Sequence, residues 1–99
     1  MAKVVWTQRA LSDLEGIGEY ISKDSFKYAG FTLEKLINTE SLIESNPFIG
    51  RIVPEINNKL IREIIKGNYR VIYQIINDSL AYILTVFHSA RLLSESNLI

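Results

Sequence analysis

The sequence predicts an α+β fold, a two-helix hairpin packed on one face of a small, mainly antiparallel sheet in the order β-α-α-β-β-β. Three observations carry that prediction. Two apolar stripes at three- and four-residue spacing occupy the first half of the chain, which is the period of amphipathic helices. Three β-branched and aromatic runs fill most of the second half, separated by Gly67-Asn68 and Asn77-Asp78, pairs that two-residue hairpin turns favour. A stretch carrying both prolines divides the halves. Helices and strands segregated in this way stack as two layers.

Each element has its own signal. Val4-Val5-Trp6 reads as a short first strand, and Thr7 offers a side-chain oxygen to cap the helix that follows. Along that helix Ala10, Leu11, Leu14, Ile17 and Ile21 form one apolar stripe, with Asp13, Glu15 and Glu19 on the outer faces. Gly16 and Gly18 each weaken it by about 1 kcal/mol relative to alanine, which points to close packing or to moderate stability. Asp24-Ser25 can end one helix and cap the next, whose stripe of Ala29, Leu33, Leu36, Ile37 and Ile43 runs to about residue 45. Asn46-Pro47 stops it, because the residue before proline is pushed out of the helical region. Phe48 to Asn58 reads as a loop. Strands are expected at about 60–66, 69–76 and 80–88.

Composition narrows the functional classes. Ninety-nine residues leave room for one hydrophobic core, so residues 1–99 are expected to form one domain. There is no cysteine and one histidine, so disulfides, thiol nucleophiles and a metal site are not expected. Lys3, Arg9 and Asp13 interrupt any signal-peptide core, and no apolar run approaches the ~20 residues of a membrane helix. A cytoplasmic protein without membrane contact is expected. Net charge is zero, with five basic against seven acidic residues in 1–50 and six against four in 51–99. That falls short of the basic excess expected for independent nucleic-acid binding.

The hairpin turns also sort side chains by face. A two-residue turn at Gly67-Asn68 puts Ile61, Glu63, Ile65, Arg70, Ile72 and Gln74 on one side of the sheet and Arg62, Ile64, Tyr69, Val71, Tyr73 and Ile75 on the other. A matching turn at Asn77-Asp78 adds Ile83, Thr85 and Phe87 to the first side and Tyr82, Leu84 and Val86 to the second. The second side suits the helical stripes, and Tyr69, Tyr73 and Tyr82 are expected in the core. The first side is left uncovered by so few elements, and its isoleucines beside Phe87 make a patch large enough to attract a protein. Arginine is costly inside a strand that otherwise reads as core. Arg70 therefore either pairs, with Glu63 across the strand, or faces something outside the protein.

Assembled in order, these residues resemble the RelE/ParE superfamily of toxins from type II toxin–antitoxin pairs, especially its ParE-like branch. The resemblance runs from Val5-Trp6-Thr7 through Ala10, Leu14, Ile17, Tyr20-Ile21, Ala29, Leu42, Pro47, Gly50-Arg51 and Arg62-Glu63. It continues with Tyr69-Arg70-Val71-Ile72-Tyr73, Ile83-Leu84-Thr85-Val86-Phe87-His88 and Arg91. It implies a cofactor-free toxin neutralised by a cognate antitoxin, with which it can form a hetero-oligomer. Two activities are implied by the superfamily. ParE-like members poison DNA gyrase by binding, whereas RelE-like members cut messenger RNA within the ribosome.

An RNA-cleaving site needs positive charge at the scissile phosphate and groups that move protons. The resemblance supplies Arg70 and His88 for those roles. The preceding strand, however, offers Ile61 and Glu63 where basic residues are expected, and Ser89 stands where a tyrosine or arginine would. His88 suits a structural role as well as a general base. The reading that follows is a ParE-like binding toxin, with a RelE-like endonuclease using Arg70 and His88 as the alternative and an inert member that still binds antitoxin as a third. Target contact is expected at Arg91, His88, Arg70 and Arg51. Antitoxin contact is expected on the uncovered side at Ile61, Glu63, Ile65, Ile72 and Phe87.

Overall fold

The computed structural model of the protein describes residues 1–90. Its elements are β1 (Lys3–Trp6), α1 (Gln8–Ser22), α2 (Phe26–Ile37), α3 (Thr39–Ser45), β2 (Arg51–Ile52), β3 (Ile61–Lys66), β4 (Tyr69–Asn77) and β5 (Leu80–His88). The five strands form one sheet in the order β1-β5-β4-β3-β2. β1 runs parallel to β5 and the other pairs are antiparallel. The helices pack on one face, so the α+β architecture is the one the sequence predicts.

The caps sit where the sequence places them. Thr7 Oγ1 accepts from the Ala10 N–H at 3.1 Å and donates to the Leu84 carbonyl at 3.0 Å, tying the start of α1 to β5. Ser25 Oγ accepts from the Tyr28 N–H at 3.0 Å. Caps of this kind stabilise a helix by about 1 kcal/mol. The expected second helix is broken at Asn38. There the Asn38 N–H reaches two carbonyls, those of Glu34 and Leu36, and the Thr39 hydroxyl donates to the Leu36 carbonyl at 2.6 Å. Local hydrogen bonds of this type compete with the helical ladder and divide α2 from α3.

The core on the helix side joins Ala10, Leu14, Leu36, Ile43, Val71, Tyr73, Ile75, Ala81, Ile83 and Val86. Gly18 explains part of the glycine content of α1: a Cβ there would lie 2.9 Å from a Leu33 methyl, so the helices cross at this point. Leu11 and Ile37, read as part of the stripes, are 48% exposed each. Asp13, read as an outer-face residue, instead accepts from the Thr85 hydroxyl at 2.5 Å and the Val86 N–H at 3.0 Å, and so fastens α1 to β5.

The β3–β4 hairpin has the predicted register, with Lys66 opposite Tyr69, Ile65 opposite Arg70 and Glu63 opposite Ile72. Gly67 has φ +57° and Asn68 has no positive φ, the type II′ arrangement that places glycine first. The β4–β5 hairpin departs from prediction. Asn77 faces Leu80, so the turn is Asp78-Ser79, with the Asn77 side chain accepting from the Ser79 N–H. Register shifts between Ile72 and Tyr73 and again between Ile75 and Asn77 invert the facing of the stretch between them. Ile83 therefore joins Tyr73 in the helix-side core, and Tyr82, expected in that core, lies opposite Gln74 and is 37% exposed.

The larger correction concerns the sheet side expected to be bare. Residues read as a loop form β2, which pairs Arg51 with Glu63 and Ile52 with Arg62, and then cross over that side. Val53 is fully buried against Ile72 and Phe87, with Ile56 and Ile61 packed around them as a second core. Ile72 is 0% and Phe87 8% exposed, and Glu63 is buried as well. Of the residues expected to form an open patch, Ile65 remains exposed and Ile61 is half-buried. The loop brought its own apolar side chains, Val53 and Ile56, and their burial closes the surface.

Gly50 lets this segment approach. An added Cβ would stand 2.7 Å from both the Glu63 carbonyl oxygen and the Tyr73 hydroxyl. The Tyr73 hydroxyl accepts from the Gly50 N–H at 2.9 Å and donates to the Pro47 carbonyl at 2.6 Å. Burial pushes the Tyr73 phenol above its ordinary pKa, against the opposing hydrogen bond from Gly50. Gly50→Ala is expected to lower stability by about 1–3 kcal/mol through overpacking, read as a lower urea midpoint.

Candidate functional site

The β3–β4 register brings Glu63 and Arg70 onto the same side of the sheet, and the crossing segment brings two further charges to them. Arg70 Nε donates to Glu63 Oε1 at 2.6 Å, and its two terminal nitrogens donate to the Glu55 carboxylate at 2.7 and 2.9 Å. Arg51 Nε donates to the other Glu63 oxygen at 2.5 Å. The Arg70 guanidinium also lies over the Phe87 ring, 5.3 Å from its centroid. Hydrogen bonds donated to Glu55 hold the Arg70 pKa above the ordinary arginine value, against a lowering by burial, with Glu63 adding to the rise. Of the two alternatives open for Arg70, the structure takes pairing.

The network is layered by exposure. The side chains of Glu63 and Arg70 are 0% and 5% exposed, whereas that of Arg51 is 61% exposed. Arg51 is thus the member of this group that reaches furthest into solvent, with the Glu55 side chain, 19% exposed, intermediate between it and the buried pair. Glu55 went unnoticed in the sequence because it lies in an irregular stretch, where no periodicity assigns a side chain to a face.

His88 belongs elsewhere. It lies opposite Tyr69 at the end of the β4–β5 pair, while Arg70 lies opposite Phe87. Successive strand residues point to opposite faces, so Arg70 and His88 project on opposite sides of the sheet. His88 is exposed, its ring meets Tyr69 edge-on at 5.9 Å, and its Nδ1 accepts from the Ala90 N–H at 3.2 Å. Beside it a hollow of about 410 Å³ is lined by Asp13, Gly16, Ile17, Tyr20 and Tyr69. Burial, with contributions from Tyr28 and Tyr20, raises the Tyr69 pKa. Arg91, expected to contact the target, lies outside the described residues. Among the described residues no group of three or more His, Asp or Glu is placed to hold a metal ion. No helix among them is long and apolar enough to cross a membrane.

The most exposed aromatic side chains are on the helices. Tyr20 is 71%, Phe26 87%, Tyr28 58% and Phe31 53% exposed. Between α1 and α2 a hollow of about 360 Å³ is lined by Gly18, Phe26, Ala29, Gly30 and Leu33. The sequence did hold a signal for part of this surface, since Tyr28 and Phe31 stand off the Ala29–Leu33–Leu36 stripe. Aromatic residues on the polar side of an amphipathic helix ask for a partner.

Comparison with known proteins agrees with this architecture. The chain is 34% identical over 92 residues to toxin RelE2 of Caulobacter vibrioides, an alignment covering 93% of this chain and 100% of that protein. Its fold matches a chain of the chromosomal ParDE TA system from P. aeruginosa with a TM-score of 0.70 at 15% identity, covering 89% of this chain and 96% of the other. The family model described as the ParE toxin of the type II toxin–antitoxin system parDE matches residues 4–93. The protein whose strands, capped helices and Tyr-Arg hairpin are described above belongs to the ParE toxin family of type II toxin–antitoxin systems.

Proposed function

We propose that this toxin works by binding, that its target is DNA gyrase in the cytoplasm, and that a cognate antitoxin neutralises it. The observation that supports binding over RNA cleavage is the opposite facing of Arg70 and His88. A phosphate held by one is out of reach of the other, and Arg70 is buried against two carboxylates. Phosphate-transition-state stabilisation requires a donor aimed at the developing charge, and general acid–base work requires hydrogen-bond reach to the same centre. The zero net charge supports the same reading, because entry to a site walled with RNA phosphates favours a basic protein.

Target contact is read at the exposed groups among those expected, Arg51 and His88, with Arg91 beyond them in sequence. Antitoxin contact is read on the aromatic helix surface of Tyr20, Phe26, Tyr28 and Phe31, together with Ile65 on the sheet. This replaces the sheet side on which Glu63, Ile72 and Phe87 are buried.

The test is a paired assay on the purified protein. Inhibited supercoiling with accumulation of cleaved DNA is expected from gyrase, while messenger RNA stays intact in a translating extract. Codon-positioned cuts in that extract, abolished by His88→Ala, would overturn the binding reading in favour of the endonuclease.

A further inference from the structure

Where α2 ends over the β3–β4 turn, two hollows adjoin. The larger, about 470 Å³, is lined by Lys35, Asn38, Leu42, Lys66 and Gly67. The smaller, about 70 Å³, shares Lys35, Lys66 and Gly67 and adds Tyr28, Thr32 and Tyr69. Their combined size is that of a pocket for a small ligand or for one or two side chains.

The two lysines come from different layers. Lys35 stands in the last turn of α2, one turn before Asn38. Lys66 ends β3 opposite Tyr69, on the helix-facing side of the sheet, and is half-buried. Neither makes an ion pair with any described residue, and among the described residues no acidic side chain lines either hollow. A lysine in the last turn of a helix is favourable toward the helix carbonyl end, which accounts for Lys35 by itself. It does not account for Lys66, which arrives from the sheet and brings a second like charge to the same concavity. Tyr28, Thr32 and Asn38 add hydrogen-bond donors, and Leu42 and Leu36 supply an apolar wall.

We propose that this Lys35–Lys66 groove is a docking site for an acidic segment of a partner protein, taking a carboxylate between the lysines and an adjacent apolar side chain against Leu42. Charge complementarity selects this occupant. Two lysines on a chain of zero net charge offer few phosphate contacts, so the groove is ill suited to hold a nucleic acid, whose binding grows with each phosphate neutralised. A peptide carboxylate needs no more than one or two cations and benefits from the apolar wall. The lining includes neither Arg51 nor His88, and the proposal does not depend on gyrase being the target.

The test follows backbone amide chemical shifts of the full chain on titration with an acetylated, amidated Glu-Leu-Glu-Glu-Leu-Glu peptide. Its lysine counterpart and a short thymidine oligonucleotide serve as the other arms. Shifts at Thr32, Lys35, Asn38, Lys66 and Gly67 with the acidic peptide alone are expected, weakening as salt is added. Lys35→Glu combined with Lys66→Glu is expected to lower the affinity by about tenfold or more, with the Gln pair intermediate. The Gln pair keeps the outcome readable if the charge-reversed protein folds poorly. Shifts at other residues, no binding, undiminished binding by the Gln pair, or tighter binding of the oligonucleotide at these amides would each overturn the proposal. None of these outcomes bears on gyrase, so this idea and the target reading fail separately.

Discussion

Arg70→Ala is expected to destabilise the protein by about 3–5 kcal/mol, the range seen when one partner of a buried ion pair is removed. The cost arises chiefly in what is left behind. Glu63, with a fully buried side chain, would keep only Arg51, whose own side chain is largely in solvent, and Glu55 would lose its bidentate donor. Exchanging both buried members together, Glu63→Leu with Arg70→Leu, is expected to recover most of that loss, because apolar residues of similar volume often replace a buried pair at little cost. Urea unfolding of the wild type, the single variant and the double variant measures both effects. A single-variant loss below about 1 kcal/mol would show the network to be peripheral, in the range of exposed ion pairs.

Ile72→Ala is expected to cost about 2–5 kcal/mol, because the isoleucine is fully enclosed and its removal leaves a cavity between Val53 and Phe87. The same substitution on an open sheet surface would change stability by about 0.5 kcal/mol or less. The experiment thus measures directly whether the segment after β2 seals this side of the sheet. An m-value unchanged from the wild type is expected alongside, since the extent of surface exposed on unfolding stays nearly the same. A small loss would mean that this side is open, and the aromatic helix surface would lose its standing as the antitoxin contact.

These two variants probe the places where reading the sequence fell short, and the reasons are physical. The Gly67-Asn68 turn fixed its hairpin correctly because a two-residue loop leaves little choice of partner for Lys66, Ile65 and Glu63. The second turn carried no such constraint. With two bulges in the β4–β5 pair, counting residues from Asn77-Asp78 sent Ile83 and Tyr82 to the wrong faces. A bulge leaves little imprint on a run such as Tyr82-Ile83-Leu84, where every residue is apolar and no alternation marks the face. Asp13 was misplaced for a related reason. A charged residue beside a helical stripe reads as solvated, and only the nearby Thr85 hydroxyl and Val86 N–H give it somewhere to go.

For the candidate site the division is sharper. Arg70 and Glu63 were legible as a pair because cross-strand register follows from the first hairpin turn, whereas Arg51 joins them through β2, which lies in the stretch read as a loop. Glu55 was not legible, nor was the closing of the sheet by Val53 and Ile56, since irregular backbone carries no period from which a facing can be inferred.

By itself the sequence determined the helices and strands apart from β2 and the break at Asn38, where the first two helices are capped, which toxin family the chain resembles, and that Arg70 needs a partner or a target. The tertiary structure decided between those two fates. It did so by bringing a distant, aperiodic segment over the sheet, an arrangement set by the burial of Val53 and by the desolvated charges it had to satisfy. Local patterns encode what neighbours along the chain share, whereas the contacts of a folded-back loop depend on the whole core against which it settles.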